Sequence, residues 1–166
     1  MAIEHNIIIE KLQSKFGEQI LSNESPYGLL TITAVKEINI DILQFLYYDD
    51  ELNFQFLTDI TAVHYPDAML QLCVVYHLHS LTTNTRLRLK FYLPIENPVI
   101  KTATTVYAGA NWMERETFDF YGVIFEGHPN LKRILNVDEM EVFPMRKEYP
   151  LEDPNRVDKK DYFFGR

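Results

Sequence analysis

The sequence predicts an α+β fold in two layers: a mostly antiparallel sheet with helices on one face, followed by an extended C-terminal tail. Three observations carry this. First, Leu70, Leu72, Val74, Tyr76 and Leu78 alternate along one segment, and Leu87, Leu89, Phe91 and Leu93 along the next, with the two-residue period of a strand. Second, the intervening positions are mixed or basic: Gln71, Cys73, Val75, His77 and His79 in the first segment, and Arg86, Arg88, Lys90 and Tyr92 in the second. That contrast suits an antiparallel sheet covered on one side only. Third, stretches before and after these strands repeat apolar residues at helical spacing.

The elements follow in order. Ile3, Ile7, Leu12 and Phe16 recur at helical spacing, with Gly17 placed to stop the helix. Residues 28–35 are rich in β-formers. A second helix is expected from Asn39 to about Tyr48, opened by Asn39 or Asp41 and closed in the acidic run Asp49-Asp50-Glu51. Strands are expected near 54–63, 69–79 and 85–93; Pro66-Asp67 turns the first pair and Leu81 to Asn84 the second. A helical stretch from about Ile100 then leads into a charged helix over 111–122. In that helix Asn111 is the expected N-cap, with Glu114 reaching back to it. Arg115 and Asp119 are spaced to pair, and Gly122 stands where a left-handed C′ residue ends a helix. Trp112, Phe118, Phe120 and Tyr121 do not share one stripe, so the helix should touch neighbours on two sides. Gly127-His128-Pro129 reads as a turn. Beyond Leu135 come Pro144, Pro150 and Pro154 and little periodicity. The chain therefore divides into an α/β domain over 1–135 and an extended docking segment over 136–166.

Composition bounds the function. At 166 residues the chain suits one domain with a sizeable core. Its longest apolar run, Leu72 to Tyr76, is far short of the roughly 20 residues that cross a bilayer. Glu4 and the lack of a basic n-region speak against a secretory signal, which points to the cytoplasm. One cysteine, Cys73, excludes an internal disulfide and a self-contained iron–sulfur site. The net charge of −8 lies in residues 1–83, where eleven acids face Lys11, Lys15 and Lys36; thirteen bases balance thirteen acids in the remainder. An acidic chain without a basic patch argues against nucleic acid and against direct binding to anionic lipid. The six glycines form neither a dinucleotide fingerprint nor a phosphate loop, and no Gly-x-Ser-x-Gly or Cys-x-x-Cys occurs.

Residues 111–135 concentrate the chemistry, with four acids, three bases, His128 and five aromatics. Glu114, Glu116 and His128 could serve a small stand-alone hydrolase as acid, base and shuttle. The preferred reading is a docking surface, with Glu114 also capping the helix. A free-standing regulatory binding module is a third possibility. His77 and His79 share a strand face, but only Cys73 accompanies them at ligand spacing, so a solvated face is preferred over a metal site. Cys73 reads as a small buried side chain. Arg86, Arg88 and Lys90 are either a docking stripe for an acidic neighbour or an ordinary wet β face.

Glu114-Arg115-Glu116, Asp119-Phe120-Tyr121-Gly122, His128, Lys132 and Ile134-Leu135 match one family signature in residue type and spacing. The chain resembles the 30 kDa subunit family, the C subunits, of the proton-pumping NADH–quinone oxidoreductase, respiratory complex I. Residues 57–66, Leu-Thr-Asp-Ile-Thr-Ala-Val-His-Tyr-Pro, resemble its strand segment, with His64 where the family usually has Asp. Residues 144–150, Pro-Met-Arg-Lys-Glu-Tyr-Pro, resemble its closing run, and Val142-Phe143 replaces the family's Gly and following aromatic or His. The likeness covers roughly residues 54–150. It implies a cofactor-free subunit of the hydrophilic arm, packed against the large quinone-site subunit and cluster-bearing subunits at the cytoplasmic face of the bacterial inner membrane. Flavin, iron–sulfur clusters, NADH and quinone would belong to partners. The interface carried over by position is Trp112, Glu114, Arg115, Glu116, Asp119, Tyr121, His128, Lys132, Arg133, Arg146 and Lys147, with Phe118 and Phe120 as core or interface anchors. No catalytic, cofactor or metal residue is implied in this chain. Residues 151–166, with Tyr162-Phe163-Phe164, would extend the contact as a clamp. The equivalent subunit of a related membrane-bound hydrogenase, or of another donor's quinone oxidoreductase, is the nearest alternative.

Overall fold

The structure, a computed structural model, describes residues 3–149, so the clamp expected over 151–166 lies outside the described residues. The elements are α1 (His5–Phe16), β1 (Ile20–Glu24), β2 (Leu30–Ala34), α2 (Asn39–Tyr48), β3 (Phe56–His64), β4 (Leu72–Ser80), β5 (Thr85–Leu93), β6 (Val99–Lys101), α3 (Ala110–Tyr121) and β7 (Ile124–Glu126). Strands β1 to β5 form one sheet in the order β1-β2-β5-β4-β3. Only β2 and β5 run parallel; the other neighbours are antiparallel. A separate parallel pair, β6 with β7, brackets α3.

The alternation seen in the sequence sets the register. Ile60 faces Tyr76 across β3 and β4, and Val74, Tyr76 and Leu78 face Phe91, Leu89 and Leu87 across β4 and β5. These side chains are buried in one core with Ile8 and Leu12 of α1, with Ile42, Leu43 and Leu46 of α2, and with Ala110 and Tyr121 of α3. Such apolar burial is the main favourable term in folding, at ~25 cal/mol per Å2. Cys73 is buried, and burial pushes its thiol up to about 11, so it packs as an inert small side chain.

Three polar links join elements distant in sequence. Lys11 of α1 pairs with Asp49 at 2.9 Å, and the same carboxylate accepts the amides of Glu51 and Leu52 after α2. Tyr107 donates to the Phe54 carbonyl at 2.7 Å. Asn39 donates to the Lys101 carbonyl at 2.7 Å, tying α2 to β6.

Asn39 is thus a buried tie within the helix; the N-cap position is Ile38, so neither Asn39 nor Asp41 opens α2 by capping. One element went unread and one further expectation is corrected. Residues 20–24 form an edge strand that the sequence hides, because Leu21, Ser22, Asn23 and Glu24 are all exposed and show no alternation. The stretch after Ile100 is not helical: β6 occupies it, and turns carry the chain to α3. Val99 and Ile100 are β-branched and pair with β7, a partner 25 residues downstream that local patterning does not reveal.

The Tyr76 hydroxyl and the Asn39 side chain are buried neighbours, yet neither that hydroxyl nor Asn39 Oδ1 makes a hydrogen bond of good geometry among the described residues. Removing a buried hydroxyl that has no partner removes its desolvation penalty. Tyr76→Phe is therefore expected to unfold in denaturant at unchanged or slightly higher midpoint. A loss above ~2 kcal/mol would reveal a partner for that hydroxyl.

Candidate functional site

The last four carbonyls of an α-helix have no partner within the helix. For α3 these belong to Phe118, Asp119, Phe120 and Tyr121, and each is satisfied. Gly122, in the left-handed conformation at φ 76°, donates its amide to the Phe118 carbonyl at 2.8 Å, as its C′ position predicted. Arg133 Nη1 donates to the Asp119 carbonyl at 2.9 Å. The Met145 amide donates to Phe120 at 3.2 Å, and Arg146 Nε to Tyr121 at 2.7 Å. Residues 133–146 therefore fold over the end of α3, placing two guanidinium groups at the negative end of its dipole.

The Asp119 side chain fixes the same segment. Its Oδ1 accepts from Arg133 Nη1 at 2.7 Å and Asn136 Nδ2 at 3.0 Å. Its Oδ2 accepts from the amides of Ile134, Leu135 and Asn136 at 3.1, 2.8 and 2.9 Å. Burial alone would raise its pKa, but the Asn136 and Leu135 amides, with Arg133, prevail and hold the carboxyl well below the usual carboxylate range. Asp119 therefore pairs with Arg133, and the expected i, i+4 pair with Arg115 does not form. Arg115 instead donates from Nε to the Lys132 carbonyl and from Nη2 to the Arg133 carbonyl, both at 3.1 Å, while stacking near Trp112.

Phe143 closes the assembly. Its ring lies between the guanidinium groups of Arg133 and Arg146, at 5.3 and 4.6 Å from the centroid, with Phe118 edge-on at 6.4 Å. A Cβ at Gly122 would sit 2.6 Å from that ring, so this glycine is required by space as well as by φ. Arg133 Nη2 reaches the carbonyls of Met140 and Val142. The Lys147 amide then donates at 2.9 Å to Nδ1 of His64, at the end of β3. The Glu148 carboxylate lies 3.3 Å from the same ring nitrogen.

Glu114 faces the other way, into the protein. The N-cap position of α3 is Gly109, so the expected cap by Asn111 and Glu114 does not form. Glu114 is fully buried; its Oε2 accepts from Thr102 Oγ1 and its Oε1 from the Ala103 amide, both at 2.6 Å. Burial pushes its pKa up to about 7, against the pull of those two hydrogen bonds. His128 donates from Nε2 to the Asn111 carbonyl at 3.1 Å and accepts the Asn130 amide on Nδ1 at 3.0 Å, pinning the turn to the start of α3. Glu116 is exposed. The three groups of the hydrolase reading thus face the interior, a backbone carbonyl and solvent, and the structure does not bring them together.

Among the eleven residues expected at the interface, Glu114, Arg115, Asp119 and Tyr121 are buried within the chain, and His128, Arg133 and Arg146 are half-buried in contacts to its own backbone. Trp112, Glu116, Lys132 and Lys147 are exposed. Residues that sequence reasoning missed are Thr102, Asn136 and Phe143, all internal partners, and a row of exposed apolar side chains on the clamped segment. That row is Leu135, Val137, Val142, Met145 and Tyr149, with Leu135 at 65% and Val137 at 63% exposure. The aliphatic run Ile134-Leu135-x-Val137 was its only signal. Among the described residues no three His, Cys, Asp or Glu side chains group as a metal site. His77 and His79 lie half-buried beside Arg88 and Arg86 on the sheet.

Residues 32–155 match the family model for the respiratory-chain NADH dehydrogenase 30 kDa subunit. The chain is 43% identical over 152 residues to the C subunit of the NADH-quinone oxidoreductase of Trichlorobacter lovleyi, covering 91% of this chain and 93% of that protein. Among solved structures it superposes on a trypsin-resistant fragment of Nqo5 with a TM-score of 0.64 at 29% identity, over 76% of this chain and 98% of that one. A component of an archaeal membrane-bound sulfane sulfur reductase shares the fold, with a TM-score of 0.73 at 24% identity over 88% and 85% of the two chains.

Two substitutions test the site. Asp119→Asn withdraws the charge from five donors and should cost ~3–5 kcal/mol in denaturant unfolding, with early hydrogen exchange at the amides of 134–136. A loss below ~1 kcal/mol would show that the loop holds without it. Glu114 binds a proton more tightly folded than unfolded, so its contribution is present below its ordinary carboxyl pKa and is lost as pH rises through about 7. Glu114→Gln, which retains a donor for Thr102 and an acceptor for Ala103, should gain stability relative to the parent across that window, by up to ~3 kcal/mol. Parallel stability–pH curves for the two proteins would contradict this.

Proposed function

The chain belongs to the family of the respiratory-chain NADH dehydrogenase 30 kDa subunit, and from that we propose that it is a cofactor-free structural and assembly subunit of the hydrophilic arm of NADH–quinone oxidoreductase. In this reading it packs against the large quinone-site subunit and the cluster-bearing subunits, and supports NADH-to-quinone electron transfer coupled to ion translocation. It carries no catalytic group of its own; flavin, iron–sulfur clusters, NADH and quinone reside in the partners. No helix among the described residues is long and apolar enough to cross a membrane, so its place at the cytoplasmic face of the inner membrane would come through the complex.

One observation carries the docking role: the exposed apolar row Leu135, Val137, Val142, Met145 and Tyr149 is mounted on a segment fastened to α3 at residues 133, 134, 135, 136, 145 and 146. Apolar side chains on a segment tied down by hydrogen bonds lose less conformational entropy on association than those on a free segment, and exposed apolar area marks interaction surfaces. Trp112, Glu116, Lys132 and Lys147 supply exposed aromatic and charged groups on the same helix and segment, suited to the rim of such a contact. The buried members of the signature act beneath the surface: Glu114 seats α3 on the β6 side, and Arg115, Asp119, Arg133 and Arg146 hold the segment in shape.

The test is an affinity pull-down from membranes of the source cell with the chain tagged at its N-terminus. The parent should recover the large quinone-site subunit with flavin- and cluster-bearing NADH-oxidising subunits. Leu135→Asp/Val137→Asp should lower that recovery about tenfold, while the melting temperature of the free chain moves by less than ~4 °C. Undiminished recovery by the double variant would overturn the docking surface. Recovery of a nickel–iron hydrogenase by the parent would instead assign the chain to a sister complex.

A further inference from the structure

The side of the sheet turned away from the helices carries positive charge left unbalanced among the described residues. The register aligns Asp59, His77, Arg88, Thr31 and Glu24 in one row across β3, β4, β5, β2 and β1. Arg86 and His79 stand two pairs further along β5 and β4, on the same face. Lys90 has a carboxylate, Glu24, at 3.2 Å. Arg86 and Arg88 have neither a carboxylate within 4.0 Å nor a hydrogen-bond partner among the described residues, and Arg88 Nε is buried without an acceptor. Two guanidinium groups without a carboxylate among the described residues thus stand two residues apart on one face of β5.

This face is also already partly shielded from water. Thr31, Cys73 and Val75 are buried although no helix covers them, because the long side chains of Arg88, Lys90 and Tyr92 lie beside them. Charges in such a setting interact more strongly than fully solvated ones. His77 registers the imbalance: burial and then the neighbouring Arg88 lower its pKa, against the opposing effect of Asp59.

We propose that this open face docks an acidic helix of a partner protein, which presents two carboxylates to Arg86 and Arg88. The spacing agrees. Two residues along a strand separate side chains by ~7 Å, and four residues along a helix rise ~6 Å, so acids at i and i+4 can meet both guanidinium groups. Arginine is suited to the role, since its planar fork binds a carboxylate through two parallel hydrogen bonds. Asp59, at one margin of the row, repels a polyanion broader than one helix and limits the lateral position of the ligand. A phosphate-rich lipid or nucleic-acid surface would meet that margin and the acidic first half of the chain. This surface is on the opposite side of the sheet from α3, and its assignment does not depend on the apolar row at residues 135–149.

The test uses the assembled complex. A benzophenone-bearing residue is placed at position 79, beside Arg86 across the strand pair, and cross-linked by light before digestion and mass spectrometry. The expected product is a single partner peptide containing at least two Asp or Glu residues within five positions. Arg86→Glu/Arg88→Glu should reduce its yield about tenfold, while cross-linking from a second probe at position 137 persists. If the charge reversal prevents folding, Arg86→Gln/Arg88→Gln makes the same comparison, with a smaller loss. The proposal is overturned by no cross-link from position 79, by a peptide without acidic residues, or by yields indifferent to both double variants. Loss of the position 137 product alone would count against the apolar row and leave this face intact.

Discussion

The four carbonyls that α3 leaves open at its C-terminus govern the second half of the molecule. A buried helix end without donors is untenable, and Gly122 can satisfy only one of them. The others draw in Arg133, Met145 and Arg146 from a segment with no helix or strand of its own. Asp119 makes the arrangement specific. A carboxylate in the last turn of a helix is opposed by the dipole and by burial, so it persists only where enough donors converge on it. The loop supplies five. Helix and loop therefore determine each other: without the loop the carboxylate is uncompensated, and without the carboxylate the loop has nothing to wrap.

The same helix shows how donor number decides ionisation. Glu114 and Asp119 are both fully buried. Glu114 receives two hydrogen bonds, and burial prevails; Asp119 receives five, one from a guanidinium, and the charge prevails. Two carboxyl groups five residues apart thus differ in the direction of their shift because one faces a neutral wall and the other faces amides and arginine.

Much of the fold was legible in the sequence. The alternation of β4 and β5 gave both their register and their buried face, and α2 spans the residues its apolar spacing indicated. What escaped were elements whose partners are distant or whose faces are both wet: β1 at the exposed edge, and β6 with β7. At the site, Gly122 was readable because φ is a local property. Arg115 and Asp119 were not, because a spacing of four permits a pair but cannot compete with a loop that offers each a better partner. Glu114 was misread for a similar reason; a glutamate three residues after an asparagine looks like a cap only if the helix begins at that asparagine, and it begins earlier. Charged residues look alike in sequence whether they face a partner protein or lock a buried loop, so the signature revealed that 111–135 was special but not which of its charges are inside. His64 stood out in the sequence as a departure, as did Val142 beside Phe143, and the structure gives His64 and Phe143 contacts: one accepts the Lys147 amide, the other packs near two guanidinium groups.

The position of Phe143 has a consequence for synthesis. A ribosome releases α3 with its final carbonyls unanswered and Asp119 waiting for its donors, and the closing contacts arrive only when residues 133–146 have emerged. The surface proposed to dock other proteins is therefore among the last features of the described chain to take shape. A product broken off before residue 143 would leave the Phe120 and Tyr121 carbonyls without Met145 and Arg146 as donors, and would lack the ring that packs against Gly122.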